Sequence, residues 1–175
     1  MISAKIRIRP QRPGEHEKIA EAAWEGSVYA QIFSREERGM VYANPLITRA
    51  TWLEEVIGQP VDLVTAEFDG RAVGTGRLLL LPDNRGLAES FFVLPDYRGR
   101  GVGTRMWNYV RGVAEDLRLT ELHVYVLRKN TPALAFYKKQ GCMEFGTGRL
   151  SIGKHEEGAV GLRWGTTRMF LKATS

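Results

Sequence analysis

The chain predicts an α/β protein built on a mixed, mostly antiparallel sheet of about seven strands with flanking helices. Three observations lead there. Segments of alternating apolar residues take turns with segments of 3.6-residue periodicity. Two adjacent apolar runs meet at Asp69-Gly70, a hairpin turn signal. The stretch from Glu89 to Gly103, ESFFVLPDYRGRGVG, reads as a strand, a glycine loop and a helix start.

Taken in order, Ala4 to Arg9 sets Ile6 and Ile8 against Lys5, Arg7 and Arg9, and Pro10 closes this first strand. Pro13 to Glu25 is helical, with Ile19, Ala20, Ala23 and Trp24 as its apolar stripe. The pattern dissolves from Gly26 to Pro45. It returns as a short helix from Thr48 to Gly58 around Trp52, Leu53, Val56 and Ile57, stopped by Gly58 and Pro60. Val61 to Phe68 and Ala72 to Leu81 are strands either side of the Asp-Gly turn, and Pro82 to Gly86 is a second turn. The strand through Glu89 to Val93 completes a three-strand meander. Val102, Met106, Tyr109, Val110, Val113 and Leu117 then mark one face of a helix of about four turns. Glu121 to Leu127 is the next strand, with Leu122, Val124 and Val126 on one side. Thr131 as N-cap, Pro132 at the first helical position and Gly141 past the end frame another helix. Met143 to Ile152 and Ala159 to Leu171 close the chain as strands either side of the polar run GKHEEG.

The loop within Glu89 to Gly103 wants an anion. Its alternating glycines let a backbone approach a ligand, and the helix that follows offers unpaired N–H groups at its positive end. Arg98, Arg100 and Arg105 add formal charge. A P-loop needs Gly-Lys followed by Ser or Thr, which Gly103, Thr104 and Arg105 do not supply. The dinucleotide fingerprint G-x-G-x-x-G fits the spacing G-x-G-x-G poorly. The pattern V-x-P-x-x-R-G-x-G-V-G, in contrast, is matched at every fixed position by Val93, Pro95, Arg98, Gly99, Gly101, Val102 and Gly103. A glycine-rich turn that binds nothing is the bland alternative.

In these residues the chain resembles the GNAT family of acyl-CoA-dependent N-acyltransferases. The resemblance is specific over Ala88 to Gly141, and elsewhere it lies in the order of elements. It implies the GNAT fold, in which the fourth and fifth strands splay apart to admit a coenzyme. It also implies acetyl-CoA as co-substrate, with its pyrophosphate on the main chain of Arg98, Gly99, Arg100, Gly101, Val102, Gly103 and Thr104. The pantetheine arm would then run along Phe91, Phe92 and Val93.

Composition is compatible with this reading. A length of 175 residues suits one domain over residues 1–175, large enough to bury roughly 70% of its unfolded surface. Cys142 is the only cysteine, so no intrachain disulfide forms. No apolar run reaches membrane-spanning length, and the N-terminal MISAKIRIRP lacks the continuous apolar core of a signal peptide, so a cytoplasmic protein without membrane contact is expected. The net charge of +5 is scattered rather than gathered into a basic block, so nucleic acid is not an expected partner. The sequence leaves room for a homodimer. His16, His123 and His155 lack metal-ligand spacing, and no metal is expected.

Acetyl transfer from a thioester to an amine needs a neutral amine, a stabilised oxyanion and a proton for the departing thiolate. Deprotonating a lysine-like amine at pH 7 costs roughly 4 to 5 kcal/mol, so a base is worth having. Glu89 is the candidate base. Strict alternation puts it on one strand face with Phe91 and Val93, about 7 Å along the strand from Phe91, within reach of an amine through one or two waters. The chain is also similar to the diamine acetyltransferase branch of the family, where a Glu at this offset is the base. A solvated strand-end carboxylate, or an ion-pair partner for Arg77, is the competing reading. Asn130, Ala133, Phe136 and Tyr137 match the family pattern N-x-x-A-x-x-F-Y, which implies Tyr137 as the acid for the thiolate and Asn130 as a group holding the pantetheine or the loop. A phenol donates to a thiolate uphill by only about 2 kcal/mol. An aromatic packed on a helix and a plain turn residue are the respective alternatives. His123 is a possible second base, although a buried structural histidine is the commoner role. Cys142 reads as a small hydrophobe.

The amine acceptor, whether small molecule or protein amine, would meet Ser27 to Arg49 and Gly153 to Gly158, where Tyr29, Phe33, Arg35, Glu36, Glu37 and Tyr42 mix both charges with aromatics. Two rival functions stand beside the enzyme: a non-catalytic acyl-CoA binder or sensor, and a nucleic-acid-binding domain suggested by charge alone.

Overall fold

The structure is a computed structural model describing residues 5–24, 27–34, 49–50, 57–152 and 155–165. β1 (Ile6–Pro10) leads into α1 (Glu15–Trp24) and a short α2 (Val28–Ile32), after which come β2 (Arg49–Ala50), β3 (Ile57–Phe68), β4 (Arg71–Leu81) and β5 (Arg85–Val93). A 3-10 turn at Pro95–Tyr97 precedes α3 (Val102–Asp116), followed by β6 (Glu121–Leu127), α4 (Thr131–Lys139), β7 (Met143–Ile152) and β8 (His155–Gly165).

The strands of the described residues form one sheet in the order β1-β3-β4-β5-β6-β8-β7-β2, eight where about seven were expected. The extra one is β2, two residues paired with Leu150 and Ser151 of β7. β2 and the start of β3 occupy the two ends of the helix expected from Thr48 to Gly58, and its middle, residues 51–56, lies outside the described residues. The C-terminal part of the last expected strand, residues 166–171, also lies outside them, whereas β8 begins earlier than its sequence pattern, at His155. α2 went unread because its five residues are too few for a periodic stripe. Its start is nonetheless signalled by Ser27, whose hydroxyl accepts from the Ala30 N–H at 3.3 Å.

Helices cover both faces. Phe92 packs in a cluster with Ala20, Ala23 and Trp24 of α1 and with Phe33. Its neighbours Phe91 and Val93 pack on the larger cluster built around Met106, Trp107 and Val110 of α3. The buried face of α3 is Val102, Met106, Trp107, Val110 and Ala114. Leu117, expected on that face, is 45% exposed, because the helix ends just before it. The Asp69-Gly70 turn is as expected, with positive φ at both residues as a two-residue hairpin requires.

Among the described residues β5 and β6 are the one parallel pair, and their ladder lasts two residues, Gly86 with Leu122 and Leu87 with His123. Beyond it β5 pairs only with β4 and β6 only with β8, so a wedge opens between the fourth and fifth strands of the expected seven. β5 is also irregular. Ser90 and Phe91 together oppose the single residue Gly76, and Ser90 takes φ +53. This bulge corrects the expected alternation. After it, Phe91 and Val93 face α3, whereas Glu89 stays on the α1 and α2 side with Phe92, near enough to Tyr29 of α2 to influence its ionisation.

Gly76 makes room for the bulge, since a Cβ there would lie 2.8 Å from the Phe91 ring, which is itself packed edge-on against Trp107. Gly76→Ala should therefore cost about 1–3 kcal/mol by overpacking. Urea denaturation should show this penalty shrinking in a Phe91→Leu background. An equal penalty in both backgrounds would mean that the ring does not set it.

Candidate active site

The loop after β5 is shaped by its own residues. Arg98 Nε donates to the Val93 carbonyl at 3.1 Å and Nη2 to the Ala23 carbonyl at 3.3 Å, so this side chain ties the loop to the last turn of α1. The side chain is exposed, but its fork is engaged by these main-chain carbonyls. Gly99 and Gly101 take φ +71 and +85, and Gly101 is the N-cap of α3 with no side chain to cap it. The first intrahelical bond runs from Arg105 N–H to the Gly101 carbonyl, which leaves the N–H groups of Val102, Gly103 and Thr104 for an outside acceptor. Gly103 faces Phe136 of α4, which a Cβ would meet at 3.4 Å, and Thr104 accepts from Gln140 at 3.4 Å. α4 is thus held beside the loop. Arg100 lies over the rings of Phe68 and Tyr97, 5.7 Å from each. With Thr104 and Arg105 it lines a cleft of about 920 Å³ against Ile6, Ile8 and Phe68, and among the described residues neither arginine has an acidic partner.

The wedge is lined by β5 main chain. The Leu94 N–H donates to the Val73 carbonyl at 2.9 Å, which in an antiparallel ladder turns the peptide groups of Val93 the other way, toward the opening. The Val93 carbonyl is already taken by Arg98, so its N–H is the group left facing the wedge.

Glu89 sits where the ladder with β6 has ended. Its side chain is 17% exposed, and Arg77, directly opposite on β4, brings Nη1 to 3.7 Å from Oε1. That is an ion pair but too long for a hydrogen bond, and Oε1 is buried with no hydrogen-bond partner. Burial raises this carboxyl from 4.5 to about 7, against the opposing pull of Arg77. The ion pair with Arg77, the competing sequence reading, is present in the structure.

Tyr137 on α4 is 7% exposed and T-stacked on Trp107 at 5.3 Å between ring centres. Burial, helped by Tyr29 and Cys142, drives its phenol far above 10, so it keeps its proton at any working pH. Tyr29 is raised to about 12, by burial first and by Glu89 second. Tyr29 thus feels the charge of Glu89, and Tyr137 that of Tyr29. Asn130, not Thr131, is the N-cap of α4, its amide oxygen accepting from the Ala133 N–H at 3.3 Å. The asparagine amide reaches the third helical N–H, and Thr131 becomes the first helical residue.

His123 lies at the closed end of the wedge. It bonds Glu121 through Nε2 at 2.8 Å, stacks on Phe145 at 4.8 Å and leaves a buried Nδ1 unpartnered. Burial lowers its pKa although Glu121 opposes this, so it is neutral at neutral pH. Cys142 is buried, and its thiol is pushed up to about 12 by desolvation, which makes it a packing residue. Of the expected acceptor segment, Tyr29 and Phe33 pack under Phe92 and Trp24, while Arg35, Glu36, Glu37 and Tyr42 lie outside the described residues. Sequence reasoning missed the bulge that sets the direction of Glu89, and the paired glycine at position 76 was its one available signal.

A model of the acetyltransferase (GNAT) family matches residues 22–142. Two curated relatives, N-acetyltransferases of Mycobacterium bovis and Mycobacterium tuberculosis that are themselves uncharacterized, are each 32% identical over 95 residues. The match covers 54% of this chain and spans 61% of the length of those relatives. Among solved structures, the fold is similar to a PaiA N-acetyltransferase of Thermoplasma acidophilum in complex with coenzyme A, with TM-score 0.63 and 18% identity over 91% of this chain and 99% of that one. It is also similar to the ribosomal-protein-S18-alanine N-acetyltransferase of Escherichia coli, with TM-score 0.64 and 13% identity over 93% and 94%.

The raised carboxyl has a consequence for stability. Folded protein holds the Glu89 proton more tightly than unfolded chain, so this group's contribution is full below pH 4.5 and is lost as pH rises through about 7. Glu89→Gln lacks that loss. Its stability relative to wild type should grow between about pH 4 and pH 8, by up to about 3 kcal/mol, when urea unfolding is compared across that range. A constant difference would mean that Glu89 titrates in the folded state as it does in the unfolded chain.

Proposed function

The chain belongs to the GNAT family of acetyltransferases, and on that premise we propose that it transfers an acetyl group from acetyl-CoA to a primary amine by direct attack in a ternary complex. The observation that carries this reading is the buried Oε1 of Glu89, without a hydrogen bond, at the edge of the wedge. A buried carboxylate oxygen without a hydrogen bond can take up a proton, and at about 7 the pKa of the group suits exchange near neutral pH.

The residues present fit the coenzyme. The open N–H groups of Val102, Gly103 and Thr104 would take its pyrophosphate, with Arg100 adding charge from outside. The Val93 N–H and the NH2 side of Asn130 would hold the pantetheine, while the side chains of Phe91 and Phe92 anchor the strand it follows. When bound, acetyl-CoA supplies the activated acetyl group. Glu89 receives the proton of the attacking amine from the α1 and α2 side. Tyr137 holds its hydroxyl proton on the other side of the wedge, where the departing sulfur needs it. Desolvation raises the phenol, but it raises a thiolate's proton affinity too, so the difference between them governs transfer.

Thiol release across a panel of amines tests the activity, and Glu89→Gln should lower kcat with acetyl-CoA affinity little changed. Gly101→Val, which forces a β-branched side chain into φ +85, should abolish acetyl-CoA binding in isothermal titration, while Arg100→Ala weakens it modestly and in a salt-dependent way. Binding without turnover of any amine would favour a sensor, and unchanged affinity in Gly101→Val would remove the loop from the site.

For Tyr137, the Phe variant keeps the stacking on Trp107 and deletes the hydroxyl. Single-turnover transfer should slow by about 10²-fold, with coenzyme affinity within a few fold. A donor with a more acidic thiol should recover part of the rate. Wild-type rates would leave Tyr137 as a packing residue.

A further inference from the structure

We propose that Arg77 is a positioning residue for the reaction: as a buried counter-ion that stands opposite Glu89 without hydrogen-bonding to Oε1, it keeps that carboxylate charged while leaving the oxygen's lone pairs unspent. The inference rests on the reading of Glu89 as the base and adds a second residue to it.

The geometry carries it. A buried carboxylate beside a guanidinium ordinarily closes into a short, paired contact that uses up its acceptor lone pairs. Here the two side chains are both largely buried, at 8% and 17% exposure, yet the nearest approach is 3.7 Å. The register accounts for the stand-off. Arg77 and Glu89 are the last matched pair before the bulge, where Ser90 and Phe91 crowd against Gly76. At that separation Coulomb attraction survives in a dry setting, whereas directional bonding does not.

The other groups around Glu89 do not duplicate this role. From α2 the phenol of Tyr29 is neutral, and from α1 His16 is turned to the Thr75 hydroxyl at 2.9 Å. Across the wedge β6 presents His123, engaged with Glu121 and neutral, while Tyr137 of α4 is protonated. Among the described residues Arg77 is the cation that acts on Glu89, and burial is the force it opposes.

Two readouts test this together. Carbon-13 NMR titration of the Glu89 carboxyl reports its charge directly, and the acid limb of kcat/KM with a panel amine reports its use. In Arg77→Met the Glu89 midpoint should rise by about 1 pH unit or more, and the acid limb should move up with it, while acetyl-CoA affinity stays within a few fold. Arg77→Lys should restore most of the wild-type position in both. If the Met variant does not fold, Arg77→Gln, which retains hydrogen-bonding groups without the charge, carries the same expectation. An unmoved midpoint overturns the inference whatever the rate does. A higher KM for the amine with an unmoved limb also overturns it, and would make Arg77 an anchor for the substrate. A midpoint that moves while the limb stays put defeats the assignment of Glu89 as base, and with it the role of Arg77 in the reaction.

Discussion

The structure turns on one irregularity in β5, the extra residue inserted opposite Gly76. A regular strand would have carried Glu89, Phe91 and Val93 on one face. The bulge sends Phe91 and Val93 into the packing of α3 and leaves Glu89 on the side of α1 and α2. The left-handed backbone of Ser90 costs on the order of 1–2 kcal/mol, which the packing of Phe91 on Trp107 must offset. Its return is a strand that serves two compartments at once. One face anchors the helix whose first N–H groups are left open, and the other presents a carboxylate to whatever lies beneath α1 and α2.

The charges around the wedge follow from where the sheet allows water. Arg9, Glu15 and Glu67 form a tight cluster at 2.6–2.8 Å near the start of the chain, the usual way of burying charge. That network holds Glu15 at about 2 and ties α1 to β1 and β3. Glu89 and Arg77 do the opposite within the same sheet, meeting at long range and leaving the carboxyl near 7. Two acidic residues with the same kind of partner thus differ because burial outweighs the distant arginine at Glu89, whereas close hydrogen bonds outweigh a weaker burial at Glu15.

Much of this was legible in the sequence, and what was legible was local. The Asp-Gly hairpin, the loop from Arg98 to Gly103 and the stripe of α3 each depend on residues a few positions apart, and each lies where its spacing put it. The parts that misled depend on partners far along the chain. Nothing near Glu89 announces the bulge, because its cause is the space over Gly76 on the neighbouring strand. Arg98 reads as one of three phosphate-facing cations, yet its fork is claimed by carbonyls of Val93 and Ala23, the latter 75 residues away. Asn130 displaced Thr131 as N-cap because either residue type can cap and only geometry decides.

The two-rung contact between β5 and β6 also has a mechanical meaning. It makes the sheet two four-stranded plates, β1-β3-β4-β5 and β6-β8-β7-β2, riveted at Gly86 and Leu87. The rivet is tight, because at Gly86 even a methyl group would come within 2.9 Å of Leu119 and Leu122. Apart from it, α3 is the main brace that touches strands of both plates. A slender molecule lying in the wedge would act as a second seam, lending rungs to a sheet that has few of its own there. Occupancy would then be felt as stiffness across the whole molecule, well beyond the residues in contact.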